Sequence, residues 1–279
     1  MSNIIKLENR KLIFINGNDC FSFLQGLISN DIFKIKNGDI IYSLMLNPQG
    51  RFLYEFFIFS YQNGFILDVD SRYIDDIIKK LSFYKLSSDV SLKKIEDLSI
   101  FFSESSLENK NIDFNFKDPR QEDFGYRIYA KSDFNVSNFN VSLQNLDFYH
   151  NLRQKNLIID ESDLEFNKSL IVEYNFDKLN AIDYKKGCYV GQEVVARVHY
   201  KGKVRKKIFL ITINNLKKIE KYSEITCHNK NYGIILSSLL INDQLQALAL
   251  IKNIDSFDKL IDLKNLDLEI SGSKIKISP

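Results

Sequence analysis

A chain of 279 residues, 44% hydrophobic and 27% charged, has ordinary globular composition and is long enough for a large composite domain plus a smaller one, which excludes a disordered or low-complexity chain. A net charge of +2 excludes nucleic-acid binding driven by the charge of the chain as a whole, so any such binding has to be local. The longest apolar stretches, such as residues 56–59, are broken by Glu55 and Ser60 far short of the roughly 20 residues that a membrane span needs.

In chain order, residues 11–17 (KLIFING) read as a strand that turns at Gly17-Asn18-Asp19 into an amphipathic helix carrying Phe21, Phe23, Leu24, Leu27 and Ile28, with Asp19 as its N-cap. A polar turn at residues 36–38 leads to the strand IIYSLML, a turn at Asn47-Pro48-Gln49-Gly50, and the strands RFLYEFFIF and FILDV, a hairpin-rich antiparallel sheet. Residues 71–81 place Ile74, Ile77, Ile78 and Leu81 at helical spacing, and residues 90–92 return to a strand, an α+β layer with helices on one side of the sheet. Residues 109–117 are polar and asparagine-rich and read as a loop; residues 128–130 read as a strand and residues 145–156 as a helix. From Lys207 onward the pattern changes to short strands without long helices, IFLITI, SEITC, YGIILSS, ALALI and KIKIS, which predicts a small barrel or sandwich and a boundary near residue 203.

Three cysteines, Cys20, Cys188 and Cys227, are far apart, odd in number and without a secretory leader, so the chain is expected to be reduced and to work in the cytoplasm. Adjacent Cys227 and His228 point to opposite faces of a strand and have no second pair at ligand spacing, so no metal site is expected. NPQGR at residues 47–51 fits neither a dinucleotide fingerprint nor a phosphate loop, and no serine-histidine-acid arrangement is legible.

The segment KGCYVGQE, residues 186–193, is the strongest candidate site, because no ordinary core segment needs a thiol, two glycines, an amide and a carboxylate within eight residues. Gly187 and Gly191 bracket Cys188, allowing positive φ or a close approach. Lys185, Lys186, Arg197 and His199 put positive charge within reach of the sulfur, a setting that favours the thiolate. The run KGKVRKK at residues 201–207 carries five positive charges and offers phosphate or RNA contact, although a solvated connector accounts for it as well and its aromatic neighbours are few.

KGCYVGQEVVAR resembles the signature of the YgfZ proteins, members of the GcvT-like folate-binding superfamily that also includes mitochondrial iron-sulfur assembly homologues. FLQGLISNDI (residues 23–32), NPQGRFLYEF, DPR at 118–120, GYR at 125–127 and GIILSS with ALAL fall in that family's order, so the resemblance covers essentially the whole chain. It implies an α+β fold of antiparallel sheets and helices. Two interleaved subdomains over residues 1–202 would enclose a folate pocket, and residues 203–279 would form a β-barrel beside them.

The resemblance further implies tetrahydrofolate as ligand, with Gln25, Asn30, Asp31 and His150 near the pocket and Glu173 on the pterin, whose donors a carboxylate fork accepts. Cys188 would be the working thiol, Lys186 and Arg197 its electrostatic setting, and Gln192 and Glu193 its hydrogen-bonding frame. The function implied is support of iron-sulfur cluster assembly or repair, and indirectly of iron-sulfur-dependent tRNA modification, with iron-sulfur proteins or assembly factors as partners. In the family's aminomethyltransferases an Asp-Asp pair carries the catalytic carboxylate; Tyr54 and Glu55 stand there in this chain. A folate-dependent aminomethyl- or methyltransferase using Glu55 is therefore the alternative, and an RNA adaptor working through residues 201–207 the third reading.

Overall fold

The computed structural model describes residues 2–35, 38–202, 204–252, 263 and 266–277; the centre of the expected turn at 36–38, Lys203 of the basic run and Ser278 of the last expected strand lie outside them. One five-stranded sheet runs in the order β3 (Ile40–Leu46), β4 (Phe52–Tyr61), β5 (Gly64–Asp70), β2 (Arg10–Asn16) and β6 (Ser91–Ile95), all neighbours antiparallel. A second runs β10 (Val141–Gln144), β1 (Ser2–Lys6), β7 (Leu98–Ser103), β9 (Tyr126–Lys131) and β8 (Ile112–Lys117), with β1 and β10 parallel.

Strands β3 and β4 are near-continuous apolar runs because they are buried on both faces. On one face Ile41, Met45, Phe56 and Ile58 share a core with Leu24 and Leu27 of α1 (Cys20–Leu27) and Ile77 and Leu81 of α2 (Ile74–Lys85). On the other, Tyr42, Leu44, Phe57 and Phe59 join Phe102, Phe116 and Tyr129 of the second sheet. The helices thus cover one side of the first sheet and the second sheet covers the other.

The remaining strands close a barrel in the order β11 (Lys206–Ile213), β14 (Gln244–Lys252), β13 (Lys230–Ile241), β12 (Glu224–Cys227), β15 (Glu269–Ile270) and β16 (Ser273–Ile277). Closure removes free sheet edges, which is why short strands suffice. The barrel has its own interior around Ile211, Ile225 and Ala247, but Ile208, Leu236, Leu248 and Leu250 pack into the large core. Gln154 of α3 (Leu146–Lys155) also donates to Ser237 at 3.2 Å across that contact.

Two local expectations are corrected. Residues 112–117 of the expected loop form β8, because Phe114 and Phe116 pack on Phe59 at ring-centroid distances of 4.9 and 5.0 Å and outweigh the asparagines around them. Asp19 occupies the N-cap position of α1 without capping it; its carboxylate accepts the Asp89 N–H at 2.8 Å and ties the helix start to the loop ahead of β6.

A charged layer lies between the two sheets. Asp68 accepts from Arg10 Nε at 2.7 Å, from Arg127 Nη2 and from the Tyr129 hydroxyl at 2.9 Å. Asp118 takes Arg120 in a two-bond fork, and the Arg127 guanidinium lies 3.6 Å from the centre of the Phe57 ring. Burial works against the charged form of Asp68, yet Arg10 and Arg127 hold its carboxyl below the usual range.

Candidate functional site

The chain bearing Cys188 lies on a bed made by the end of α1 and the turn after it. Ser29 Oγ donates to Ala181 O at 2.6 Å, Asp183 N to Ser29 O at 3.0 Å, Asn30 Nδ2 to Asn180 O at 2.7 Å and Val190 N to Gly26 O at 3.2 Å. Asp183 shapes the turn itself by accepting the N–H groups of Lys185 and Lys186 at 2.6 and 3.1 Å, while Lys34 pairs with its other oxygen at 2.8 Å. Lys186 then folds inward, its Nζ donating to Gln25 O, Ile28 O and Asn30 O at 2.8, 2.6 and 2.8 Å. Gln25 O lies in the last turn of α1 and Ile28 O at its C-cap, where a helix leaves acceptors unsatisfied and favours a cation, and Asn30 O lies just beyond. Burial pushes the amine down to about 8, and the three acceptors favour the ammonium.

Gln25, Asn30 and Asp31 belong to this bed. Gln25 bridges Asp31 Oδ1 and Ile32 N, Asn30 holds Tyr42 O and Asn180 O, and Asp31 caps the turn at Phe33. Their polar atoms are spent on shaping the support for the 183–190 turn.

Cys188 is exposed, whereas Cys20 and Cys227 are buried. It stands at a surface groove of about 780 Å³ whose lining includes Pro48, Val190, Gln192, Ala196, Arg197 and Tyr200. The groove depends on a close contact between two turns. Gly191 has φ +87°, and a Cβ there would lie 2.5 Å from Asn47 O, so only glycine lets the NPQG turn and the CYVG turn meet. Gly191 also sits at the N-cap of α4 (Gln192–Lys201), a helix that the sequence pattern does not announce. Gly187 carries no positive φ and faces open space, so it does not mirror Gly191.

Three of the four cations expected around the sulfur have other partners. Lys186 is held by carbonyls, Arg197 pairs with Glu193 at 2.6 Å one turn along α4, and His199 stacks on Tyr184 at 3.6 Å. Gln192 and Glu193 line the groove from the first turn of α4, but among the described residues no hydrogen bond joins them to Cys188. The sequence reading assigned Pro48, Asp183 and Ser29 no part in this site; the Asp two residues ahead of Lys185 is a legible turn signal, whereas the approach of Pro48 to the groove spans the fold.

The remaining positions expected to hold folate lie elsewhere and apart. Glu173 pairs with Lys206 of β11 at 2.9 Å, in a cavity of about 310 Å³ with Arg51 and Lys168. His150 lines another cavity, of about 220 Å³, together with Glu55 and Glu161. Burial, aided by Arg153, pushes His150 below its ordinary range, so it is neutral at pH 7. Glu55 accepts from Arg10 at 2.6 Å, from the Tyr42 hydroxyl at 2.7 Å and from the Glu161 N–H at 3.0 Å. Burial and the neighbouring Glu55 charge push Glu161 up to about 9.

A carboxyl whose pKa is raised on folding stabilises the fold fully below its unfolded value and loses that contribution as pH rises toward the folded value. The Glu161→Gln variant is therefore expected to gain stability over the parent between about pH 4.5 and 9, by on the order of 3 kcal/mol at pH 7. Urea unfolding across this range checks it; parallel stability curves for the two proteins would show that Glu161 ionises freely.

No protein-family model matches the chain. The glycine cleavage system aminomethyltransferase T from Bartonella henselae aligns in structure with a TM-score of 0.70, covering 100% of this chain and 85% of its own, at 12% sequence identity. The two share a fold. At that identity the likeness reaches no further than the fold. By sequence the chain is similar to the mitochondrial iron-sulfur cluster assembly factor IBA57 homolog of Mycosarcoma maydis, 31% identical over 74% of this chain and 56% of the relative. Mouse mitochondrial iron-sulfur cluster assembly factor IBA57 is 27% identical over 75% of this chain and 65% of its own length. The chain spans about half the length of the fungal relatives, 56% and 53% for those from Mycosarcoma maydis and Neurospora crassa.

These relatives overturn the cytoplasmic expectation, because they are mitochondrial proteins. The inference from cysteines failed for a physical reason: unpaired thiols report the redox state of a compartment and not which reducing compartment it is. Among the described residues no helix is long and apolar enough to cross a membrane.

Proposed function

We propose that this chain serves iron-sulfur cluster assembly by lending the Cys188 thiolate to a cluster brought by a partner protein. One observation carries the reading: the exposed thiol stands at an open groove, while the other two cysteines are 6% and 2% exposed. Clusters normally take four thiolates, and among the described residues no group of three or more His, Cys, Asp or Glu side chains is placed to hold a metal. The other ligands would then come from the partner, an iron-sulfur protein or assembly factor. The similarity to iron-sulfur cluster assembly factors supports this reading. Within it, residues 1–202 form the body that presents the thiol and residues 203–279 the barrel that buttresses it; support of iron-sulfur-dependent tRNA modification, as in YgfZ-type proteins, would follow indirectly through the clusters supplied.

The positions that the resemblance gave to tetrahydrofolate do not line one cavity. Ligand pockets usually span about 300–1,000 Å³, and the cavity holding Glu55 and His150 has about 220 Å³. Glu173 faces a different cavity, and Gln25, Asn30 and Asp31 are engaged with one another and with Ile32, Phe33, Tyr42 and Asn180. No step is routed through folate. Glu55 has both oxygens committed, which also disfavours the aminomethyl- or methyltransferase reading. An RNA adaptor loses support because Lys206 of the basic run pairs with Glu173.

The test is anaerobic mixing with a [2Fe–2S]-loaded assembly protein, followed by size exclusion and visible circular dichroism. The parent chain is expected to form a coloured complex, Cys188→Ser to lose it at least about tenfold, and added tetrahydrofolate to change neither result. An equally coloured complex with Cys188→Ser would remove the thiol from the function.

A further inference from the structure

Helix α4 presents one stripe of side chains to the Cys188 groove. Gln192, Glu193, Ala196, Arg197, Tyr200 and Lys201 all line it, and their spacing by four and eight residues keeps them on one face of the helix. The opposite face is taken, because Val195 is buried and Val194 lies against Gly50 of the NPQG turn. Ala196, midway along the stripe, is its smallest side chain and leaves room between Gln192 and Tyr200, while Pro48 and Val190 add apolar walls. Tyr200 is 66% exposed, a large aromatic side chain open to water at the groove. Tyrosine and arginine around an apolar depression are the side chains that carry most of the energy in protein interfaces.

The charge of this region has one sign. Residues 185–207 contain eight lysines and arginines against a single acid, Glu193. Lys186 is turned inward and Lys206 pairs with Glu173, yet Arg197 and Lys201 stand on the groove and Lys185 is exposed three residues before the thiol. Among the described residues the Arg197 guanidinium bonds Glu193 through Nη2 alone, so it can still take a second carboxylate. A helix of 10 residues is about 15 Å long, which four or five residues of extended chain would span. A nucleic acid would meet the same cations, but its phosphates gain nothing from apolar walls and its bases find one exposed ring, Tyr200, instead of the row that stacking needs.

We infer that the groove along α4 docks a short extended segment of the partner protein, in which an apolar side chain sits over Ala196 between acidic residues that answer Arg197 and Lys201. The inference rests on the reading of Cys188 as the thiol offered to that partner, and it puts the partner's recognition segment within reach of the sulfur.

Cys188 itself supplies the assay, since Cys20 and Cys227 are buried. Three short peptide amides are prepared, with leucine between two glutamates, leucine between two lysines, and serine between two glutamates. Each carries an N-terminal cysteine as its mixed disulfide with 2-mercaptoethanol. The Cys188 thiolate displaces 2-mercaptoethanol and forms the disulfide to the peptide; mass spectrometry of the intact chain reads how much 2-mercaptoethanol half reverses the exchange. The peptide with leucine between glutamates is expected to need about tenfold more than either of the others. Ala196→Arg, which fills the groove, is expected to level the three, and Lys201→Glu to move the preference toward the lysine peptide. Equal retention of the acidic and basic leucine peptides by the parent protein would overturn the proposal. Equal retention of the leucine and serine peptides would overturn it too, because a groove that answers charge alone suits a nucleic acid. Neither arm uses a cluster, so such a failure leaves the coloured complex to stand on its own test. A colourless partner mixture with peptide selectivity intact would instead remove the cluster role of the thiol and keep the groove.

Discussion

Asp68→Ala is expected to destabilise the protein by about 3–5 kcal/mol, because it takes away the carboxylate shared by two buried guanidinium groups and leaves Arg127 without a close counter-charge. Asp68 has no exposed side-chain surface and is the shared partner of Arg10, Arg127 and the Tyr129 hydroxyl. Arg10 belongs to the first sheet, and Arg127 and Tyr129 belong to the second. Removing one carboxylate therefore loosens the contact between the sheets as well as one strand. Arg10 keeps Glu55, so the larger share of the loss falls on Arg127, whose other near carboxylate, Asp118, is 4.0 Å away and already engaged by Arg120. Urea unfolding at pH 7 measures the effect. A loss below about 1 kcal/mol would mean that water or a shifted acid replaces Asp68, as at an exposed pair. The same carboxyl sets an acid limit. Its pKa is lowered on folding, so its contribution is present above the ordinary aspartate range near 4 and disappears as pH falls through the folded value.

The parts of this fold that were legible in the sequence are those where local pattern and burial agree. The apolar runs of β3 and β4, the helical spacing of Ile74, Ile77 and Leu81, and the short strands of the barrel all report the face they bury. Where tertiary contact overrides composition the reading failed, as at Phe114 and Phe116, whose partner Phe59 lies more than 50 residues earlier in the chain. The thiol motif was legible as a candidate site because its composition suits no core. The roles within it were not, because distance along the chain does not reveal direction. Lys186 is two residues from Cys188, yet its amine goes to the carbonyls of α1; Glu193 and Arg197 answer each other on one face of α4. Glu161 left no signal at all. Nothing in ESD at residues 161–163 shows that its carboxyl lies buried beside Glu55.

Lys186→Met carries the correction at the thiol motif to a measurement. The substitution keeps a long flexible side chain but deprives three carbonyls of their donor, each worth about 1–3 kcal/mol when buried, so a loss of at least about 3 kcal/mol is expected. The side chain is a pin between the end of α1 and the 183–190 turn. Amide hydrogen exchange should therefore accelerate first at Asp183 and Val190, whose N–H groups donate to Ser29 O and Gly26 O and join the same two segments. A Lys186 that served the sulfur directly would give the opposite pattern: unchanged thermal stability and slower alkylation of Cys188. The geometry favours loss of stability with alkylation kept or quickened, because a loosened turn exposes the thiol further. The FLQGLISND and KGCYVGQE segments then share one purpose, since the first supplies the acceptors on which the second hangs and the second presents Cys188 at the groove.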